Sequence, residues 1–421
     1  MYLVSKFAFV FLCVITHFSA PSRADDGHEI YQDASLKSFP NIKRHRLYSK
    51  ALEQERLIDI AVPANYFETA ETYKYPVIFV MDAELMFPMV SGLVHQMTAN
   101  SQMPDSIIVG INNVAGARRD ITPKPFDRDG KPYWFGGQED KYLQFLTDEL
   151  LPFLDENYRA TDFRILAGLS PTAQFTLHSF WKAPKAFDGY IAINATDFTA
   201  VGYEGKTVFE KIEQSLLDAP ARSAFLYVSM PQSGVSRNPK IAEAYKRLTN
   251  QLARFEPQGV RVKTEAVNKS AYAATLPALM SALEMIYPAV KWDPDYRDFF
   301  SEKPGQTLRN LQVYYEGLGS EYGFVALPKG ERFFNRNRMK RLGYYLLQKK
   351  RADEAMDIFN YWVKLYPNSA NAHDSLADAL RAMGQTQEEK IVRMRAVSLA
   401  REHNDARLAI FEKKLKGVVA N

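Results

Sequence analysis

Cysteine is almost missing from this chain. The single one, Cys13, lies in the apolar run 7–18, so a chain cleaved behind that run keeps no thiol for a disulfide, a metal site or covalent catalysis. Such a composition suits an oxidising compartment. The sequence also has no glycine-rich phosphate loop and no histidine and carboxylate cluster at ligand spacing. Nucleotide and metal functions therefore have no motif to rest on, and no cofactor is implied. Charge of one sign is lacking too. The formal net charge is +4, and removing Lys6 and Arg23 leaves +2, which gives no electrostatic case for nucleic acid.

Long apolar runs are confined to the N-terminus. Lys6 precedes the run 7–18, and Ser22-Arg23-Ala24 offers a small-x-small cleavage site before Asp25. The run is well short of the roughly 20 residues that cross a bilayer. The pattern predicts a signal peptide over residues 1–24, no stable membrane anchor, and a periplasmic or secreted protein.

The remainder is that of a folded protein, with 46% hydrophobic and 24% charged residues. Short β-branched and apolar runs at 57–62, 77–82, 107–112, 164–167, 190–194, 225–229 and 262–267 alternate with stretches of helical period. This predicts an α/β fold, a mostly parallel sheet with helices on both faces, over residues 25–295. The helix expected at 139–158 should bend at Pro152. Helices at 240–255 and 275–287 follow from the same pattern. Prolines and charges between 292 and 306 read as a connector, and the linking stretch between the two regions is expected at 296–330.

From 331 to 421 the chain reads as a small all-α region of helical hairpins. Gly343, Leu342, Ala355, Phe359 and Pro367 stand where a tetratricopeptide-like repeat wants small, Leu, Ala, Phe and Pro. A second copy, shifted by 34 residues, has Leu376, Ala377, Leu380 and Ala396. It puts Glu389 and Arg393 where small and aromatic residues would pack. A plain helical cap is the alternative. This end has 18 Lys+Arg against 11 Asp+Glu, a net +7 that reads either as a solvated face or as a dock for a protein partner. As a separable unit, its deletion from residue 306 onward is expected to leave the first domain folded.

The chemistry centres on residues 164–175. A strand ending at Ala167 runs into a turn with Gly168, Ser170, Pro171 and Thr172, and then into a helix, a geometry that exposes a serine hydroxyl at the sheet's carboxyl edge. Here the chain resembles the putative esterase family of α/β-hydrolases. Similar to that family are residues 75–82 before a helix, 108–112 followed by Arg119, Asp120, Thr122 and Pro123, Gly136-Gly137, and 187–193. The resemblance covers roughly 45–290 and implies acyl transfer through a serine, a histidine base, an orienting acid and backbone oxyanion donors.

Measured against that expectation, the constellation is damaged. Ser170 holds the nucleophile position, but Pro171 has no N–H to give to an oxyanion. Thr172 replaces a glycine, and its Cβ is expected to crowd the turn. The base should fall in 266–277, a stretch without histidine, and Asn268 cannot take a proton near neutral pH. His178 and His95 lie inside helices. The acid should follow 225–229, where the loop has no carboxylate. Asp82, Ala83, Asn112, Asp120 and Pro171 remain as ligand-binding candidates. The leading expectation is a pseudo-hydrolase binding a small ester-like ligand. The alternatives are an ester hydrolase working through Ser170 with a non-standard base, and an interaction protein acting through its helical end.

Overall fold

A computed structural model describes residues 41–113, 121, 124, 131–132, 136–195, 201–203, 206–218, 223–237, 239–252, 259–269, 271–330 and 337–419. The proposed signal peptide and Asp120 lie outside the described residues.

Eight strands form one sheet: β1 (Asn41–Ser49), β2 (Gln54–Val62), β3 (Tyr75–Met81), β4 (Ile107–Ile111), β5 (Ala160–Leu169), β6 (Gly189–Ile193), β9 (Ala224–Pro231) and β10 (Val260–Val267). The remaining two, β7 (Val201–Tyr203) and β8 (Lys206–Thr207), pair as a separate ribbon. The order in the large sheet is β1-β2-β4-β3-β5-β6-β9-β10. Only the β1–β2 and β2–β4 pairings are antiparallel. All seven expected strands are present. Edge strand β1 escaped sequence reading because five of its nine residues are exposed, with Ile42 and Tyr48 outward beside Lys43, Arg44 and Arg46, leaving no clean apolar alternation to detect.

The helices are α1 (Ala83–Ala99), α2 (Glu139–Gln144), α3 (Leu151–Asn157), α4 (Pro171–Lys182), α5 (Val208–Asp218), α6 (Gln232–Arg237), α7 (Pro239–Leu252), α8 (Thr275–Ile286) and α9 (Ala289–Trp292). They are followed by α10 (Thr307–Tyr322), α11 (Arg338–Gln348), α12 (Ala352–Leu365), α13 (Ala370–Ala382), α14 (Thr386–Glu402) and α15 (Leu408–Val419). Strand residues alternate between two cores, as a pleated strand requires. Ile165, Ala167 and Leu169 of β5 face α1 and α8, whereas Leu166 faces Tyr142, Phe175 and their neighbours.

Two expectations need correction. Residues 139–157 are not one regular α-helix, because a π-helical segment, Phe145–Leu150, joins α2 to α3 just before Pro152. Pro152 lies in the first turn of α3, where a missing N–H costs no helical bond. The stretch read as a connector is folded as well. It holds α10, whose Leu311, Tyr315, Leu318 and Tyr322 join the core formed by α1, α8 and one sheet face. That core runs on without a break into α11, α12 and α13.

Within the helical end, Gly343 is small for a packing reason. A Cβ there would come within 2.3 Å of the Phe359 ring. Leu342, Ala355 and Phe359 are fully buried around it. In the second hairpin the positions expected to be small and aromatic are occupied by a buried ionic cluster. Arg393 is 1% exposed. It bonds Asp374 at 2.7 Å, Asp378 at 2.7 Å and Glu389 at 2.8 Å.

Candidate functional site

β5 ends at Leu169, and Ser170 turns the chain into α4 with φ 60° and ψ −112°. A positive φ on a serine is strained by roughly 1–3 kcal/mol, so the surroundings must hold it. The Ser170 N–H donates to the Ile193 carbonyl of β6 at 2.8 Å. One residue back, the Leu169 N–H donates to Thr172 Oγ1 at 2.8 Å. The Thr172 hydroxyl donates to Asp82 Oδ2 at 2.8 Å.

Thr172 therefore does not crowd the turn as expected. It is fully buried and ties the elbow to β3. The close backbone approach falls at Gly168 instead, where a Cβ would meet the Thr172 carbonyl oxygen at 2.4 Å. Pro171 opens α4 half-buried. Its ring suits the first helical position, and its nitrogen has no hydrogen to offer.

Asp82 closes β3 into α1 with left-handed φ 52° and ψ 47°, and it is 1% exposed. Besides the Thr172 bond, its carboxylate accepts from Asn113 Nδ2 at 2.6 Å. Asn113 Nδ2 also reaches Glu84 Oε1 at 2.8 Å, and the Asn113 backbone N–H lies 3.2 Å from Glu84 Oε2. Ala83 is the first residue of α1 and buried, with an N–H in the turn that has no intrahelical acceptor. These contacts bring Ser170, Pro171, Asp82 and Ala83 to one edge of the sheet.

Asn112 behaves differently. Its amide donates to Asp59 Oδ2 at 2.9 Å and to the Leu57 carbonyl at 3.2 Å, both on β2. Hydrogen bonds from Arg44, with a smaller contribution from Asn112, hold the Asp59 carboxyl below its ordinary pKa against the effect of burial. The amide that joins the elbow edge belongs to the next residue, Asn113, which the sequence reading missed together with Glu84. A carboxylate in the first turn of α1 was the available signal, since it complements the helix dipole.

The positions for base and acid are as the sequence left them. β10 leads through a 3₁₀ turn, Ala271–Ala274, into α8, and Asn268 is exposed before it. Behind β9 the chain forms α6, again without a carboxylate.

No histidine among the described residues belongs to the elbow. His178 is eight positions beyond Ser170 in α4, about 12 Å along the axis. Its Nε2 lies 2.9 Å from Asp140 Oδ1. Burial lowers its pKa to about 4 in spite of that carboxylate, so the ring is neutral at neutral pH. His95 stands in α1 about 20 Å beyond Asp82. His45 pairs with the Tyr158 hydroxyl at 2.6 Å, next to the opposite end of β5. His373 and His403 belong to the helical end. Among the described residues no group of three or more His, Cys, Asp or Glu could hold a metal ion. Nor is any helix among them long and apolar enough to cross a membrane.

Comparison with known proteins agrees with this fold. Residues 49–197 match the family model described as "Putative esterase". An IroE-like serine hydrolase from Shewanella oneidensis has a similar solved structure, with TM-score 0.60 and 18% identity. The match covers 76% of this chain and 98% of that one. An uncharacterised protein from Capnocytophaga ochracea aligns with TM-score 0.50 and 14% identity over 90% of this chain and all of its own. At those identities the likeness speaks for the fold alone. No curated protein matches the sequence.

Proposed function

We propose, from the premise that the first domain belongs to the putative esterase family, that this chain is an exported pseudo-hydrolase whose elbow cleft binds a small ester-like ligand without cleaving it. The observation that carries the reading is Pro171 directly after the strained Ser170. A hydrolase needs an N–H there, and losing one oxyanion donor costs about 2.7–4 kcal/mol of transition-state stabilisation. The histidine positions add a second and independent loss, since general base catalysis contributes roughly 10²–10⁴-fold.

On this reading the purified mature protein gives no turnover of activated esters above that of its Ser170→Ala variant. Serine-dependent turnover across an ester panel would refute it. The retained strain at Ser170 favours a second reading, an active carboxylic ester hydrolase with an unusual base. That reading requires labelling of Ser170 by a fluorophosphonate probe, and folded protein that stays unlabelled counts against it.

Export rests on the N-terminal pattern of Lys6, the run 7–18 and Ala24. Expression in a bacterium with an intact secretion pathway should yield a periplasmic or secreted product whose intact mass begins near Asp25. A cytoplasmic product retaining Met1 would sink this part. The net +7 over 331–421 supports an acidic protein partner for the helical end.

A further inference from the structure

β2 carries a buried arginine at the same sheet edge as the elbow. The register Ile58↔Ile111, continued by the Asn112 N–H donating to the Leu57 carbonyl at 3.0 Å, sets Arg56 beside Asn113. Arg56 is 1% exposed. Its side chain lies over the Tyr142 ring of α2, 5.1 Å from the centroid. Its Nε is enclosed without a hydrogen-bond partner among the described residues. The Tyr142 hydroxyl is likewise enclosed and unpartnered.

Two adjacent donors without acceptors, one of them charged, are costly to bury. The nearest carboxylates do not relieve them. Asp82 is engaged by Thr172 and Asn113, and Glu84 by Asn113. Both carboxylates are near enough to raise the Tyr142 pKa, after burial as the larger cause, while Arg56 lowers it. Tyr142 is thus close both to Arg56 and to Asp82 and Glu84 at the start of α1. The first turn of α1 adds N–H groups and a positive dipole end. Along the sheet β2, which carries Arg56, is three strand spacings from β5, about 14 Å, within the span of a small ligand reaching to Ser170.

The geometry points to Arg56 and Tyr142 as the anchor for a carboxylate on the ligand of the elbow cleft. A guanidinium takes a carboxylate through two parallel N–H bonds, and the phenol supplies a further donor. Ligands of this class are carboxylic acids, or esters bearing a second, free carboxyl group. The inference deepens the proposed ligand-binding role and rests on it.

Calorimetric titration of the full mature chain with benzoate, benzamide and inorganic phosphate tests it. Benzoate is expected to bind, and benzamide, of the same shape without charge, to bind at least about tenfold more weakly, the scale of a charge-assisted contact. Arg56→Met should abolish the preference for benzoate and Arg56→Lys should keep part of it. Tyr142→Phe, which removes only an unpartnered hydroxyl, should fold normally and weaken benzoate severalfold. It tests the anchor independently of the Arg56 variants. Equal binding of benzoate by wild type and Arg56→Met, no benzoate binding at all, or phosphate preferred over benzoate would each overturn the carboxylate anchor. None of these touches the absence of turnover. Conversely, serine-dependent ester cleavage would overturn the non-catalytic reading and leave an Arg56-dependent preference for benzoate standing.

Discussion

Cutting the chain after Gln306 should give an insoluble or unfolded first domain, not an independent one. The reason is α10 and the segment behind it. Tyr322 stacks on Phe225 and Tyr287 with ring centroids 6.1 and 5.7 Å apart, and Phe324 stacks on Trp292 at 6.1 Å. The Tyr322 hydroxyl donates to the Ile286 carbonyl at 2.5 Å. With Leu311, Tyr315 and Leu318, these side chains cover Phe163, Phe225, Tyr287 and Trp292 of the first domain. Burial of one such side chain stabilises by roughly 1.5–3 kcal/mol. Five together therefore match the whole stability of about 5–15 kcal/mol expected of a domain. A cut after Gln385 removes only α14 and α15, whose apolar side chains pack in a separate small cluster with Ala370 and whose ionic contacts run to Asp374 and Asp378 of α13. That shorter protein should stay soluble with a lower melting temperature. Expression, gel filtration and thermal melts of the two truncations decide the matter. A soluble, cooperatively melting 25–306 fragment would show that the helical end is dispensable.

The sheet was legible because its central strands, such as those at 77–82 and 190–194, are short apolar runs buried along their length. The elbow was legible because a strand, a glycine, a serine and a helix start follow one another within a few residues. What the sequence hid depends on contacts between distant segments. Thr172 reads as an obstacle when only its size is weighed, yet its hydroxyl bridges to Asp82, 90 positions earlier. Asn112 and Asn113 are indistinguishable by type, and only the strand pleat turns one toward β2 and the other toward Asp82. The connector was misjudged for a related reason. Prolines at 294 and 304 do mark irregular chain, but the aromatic residues after them are spaced for a helix whose partners are Phe225, Tyr287, Trp292 and Phe299.

Arg56 and Arg393 show why a buried charge cannot be judged from composition. Both are 1% exposed, yet Arg56 has no ionic partner among the described residues, whereas Arg393 has three. The first therefore suggests an incoming ligand, and the second a structural joint. This difference also predicts opposite responses to the same substitution. Arg56→Met removes a buried charge that forms no ion pair among the described residues, so stability should hold or rise.

Arg393→Met should instead destabilise the helical end by about 3–5 kcal/mol, the cost of stripping one partner from a buried ionic group. It leaves Asp374, Asp378 and Glu389 facing one another. Lys414 reaches Asp374 at 2.6 Å and Asp378 at 2.9 Å, and the Tyr344 hydroxyl donates to Asp378 at 2.7 Å. The cluster thereby joins α11, α13, α14 and α15, and its loss should loosen all four. Its pH dependence follows from Asp378. Burial alone would raise that carboxyl, but hydrogen bonds from Arg393, Lys414 and Tyr344 hold its pKa below the ordinary 3.8. A lowered folded-state pKa contributes stability that is complete above the unfolded value and fades as pH falls through the folded one. Wild type should therefore keep this contribution at pH 5 and begin to lose it below pH 4. Arg393→Met should already be weakened at neutral pH and should show less further loss on acidification to that point. Thermal melts of both proteins between pH 3 and pH 7 measure the difference. Parallel stability curves separated by less than about 1 kcal/mol, the scale of an exposed ion pair, would mean that the cluster contributes no more than surface charges do.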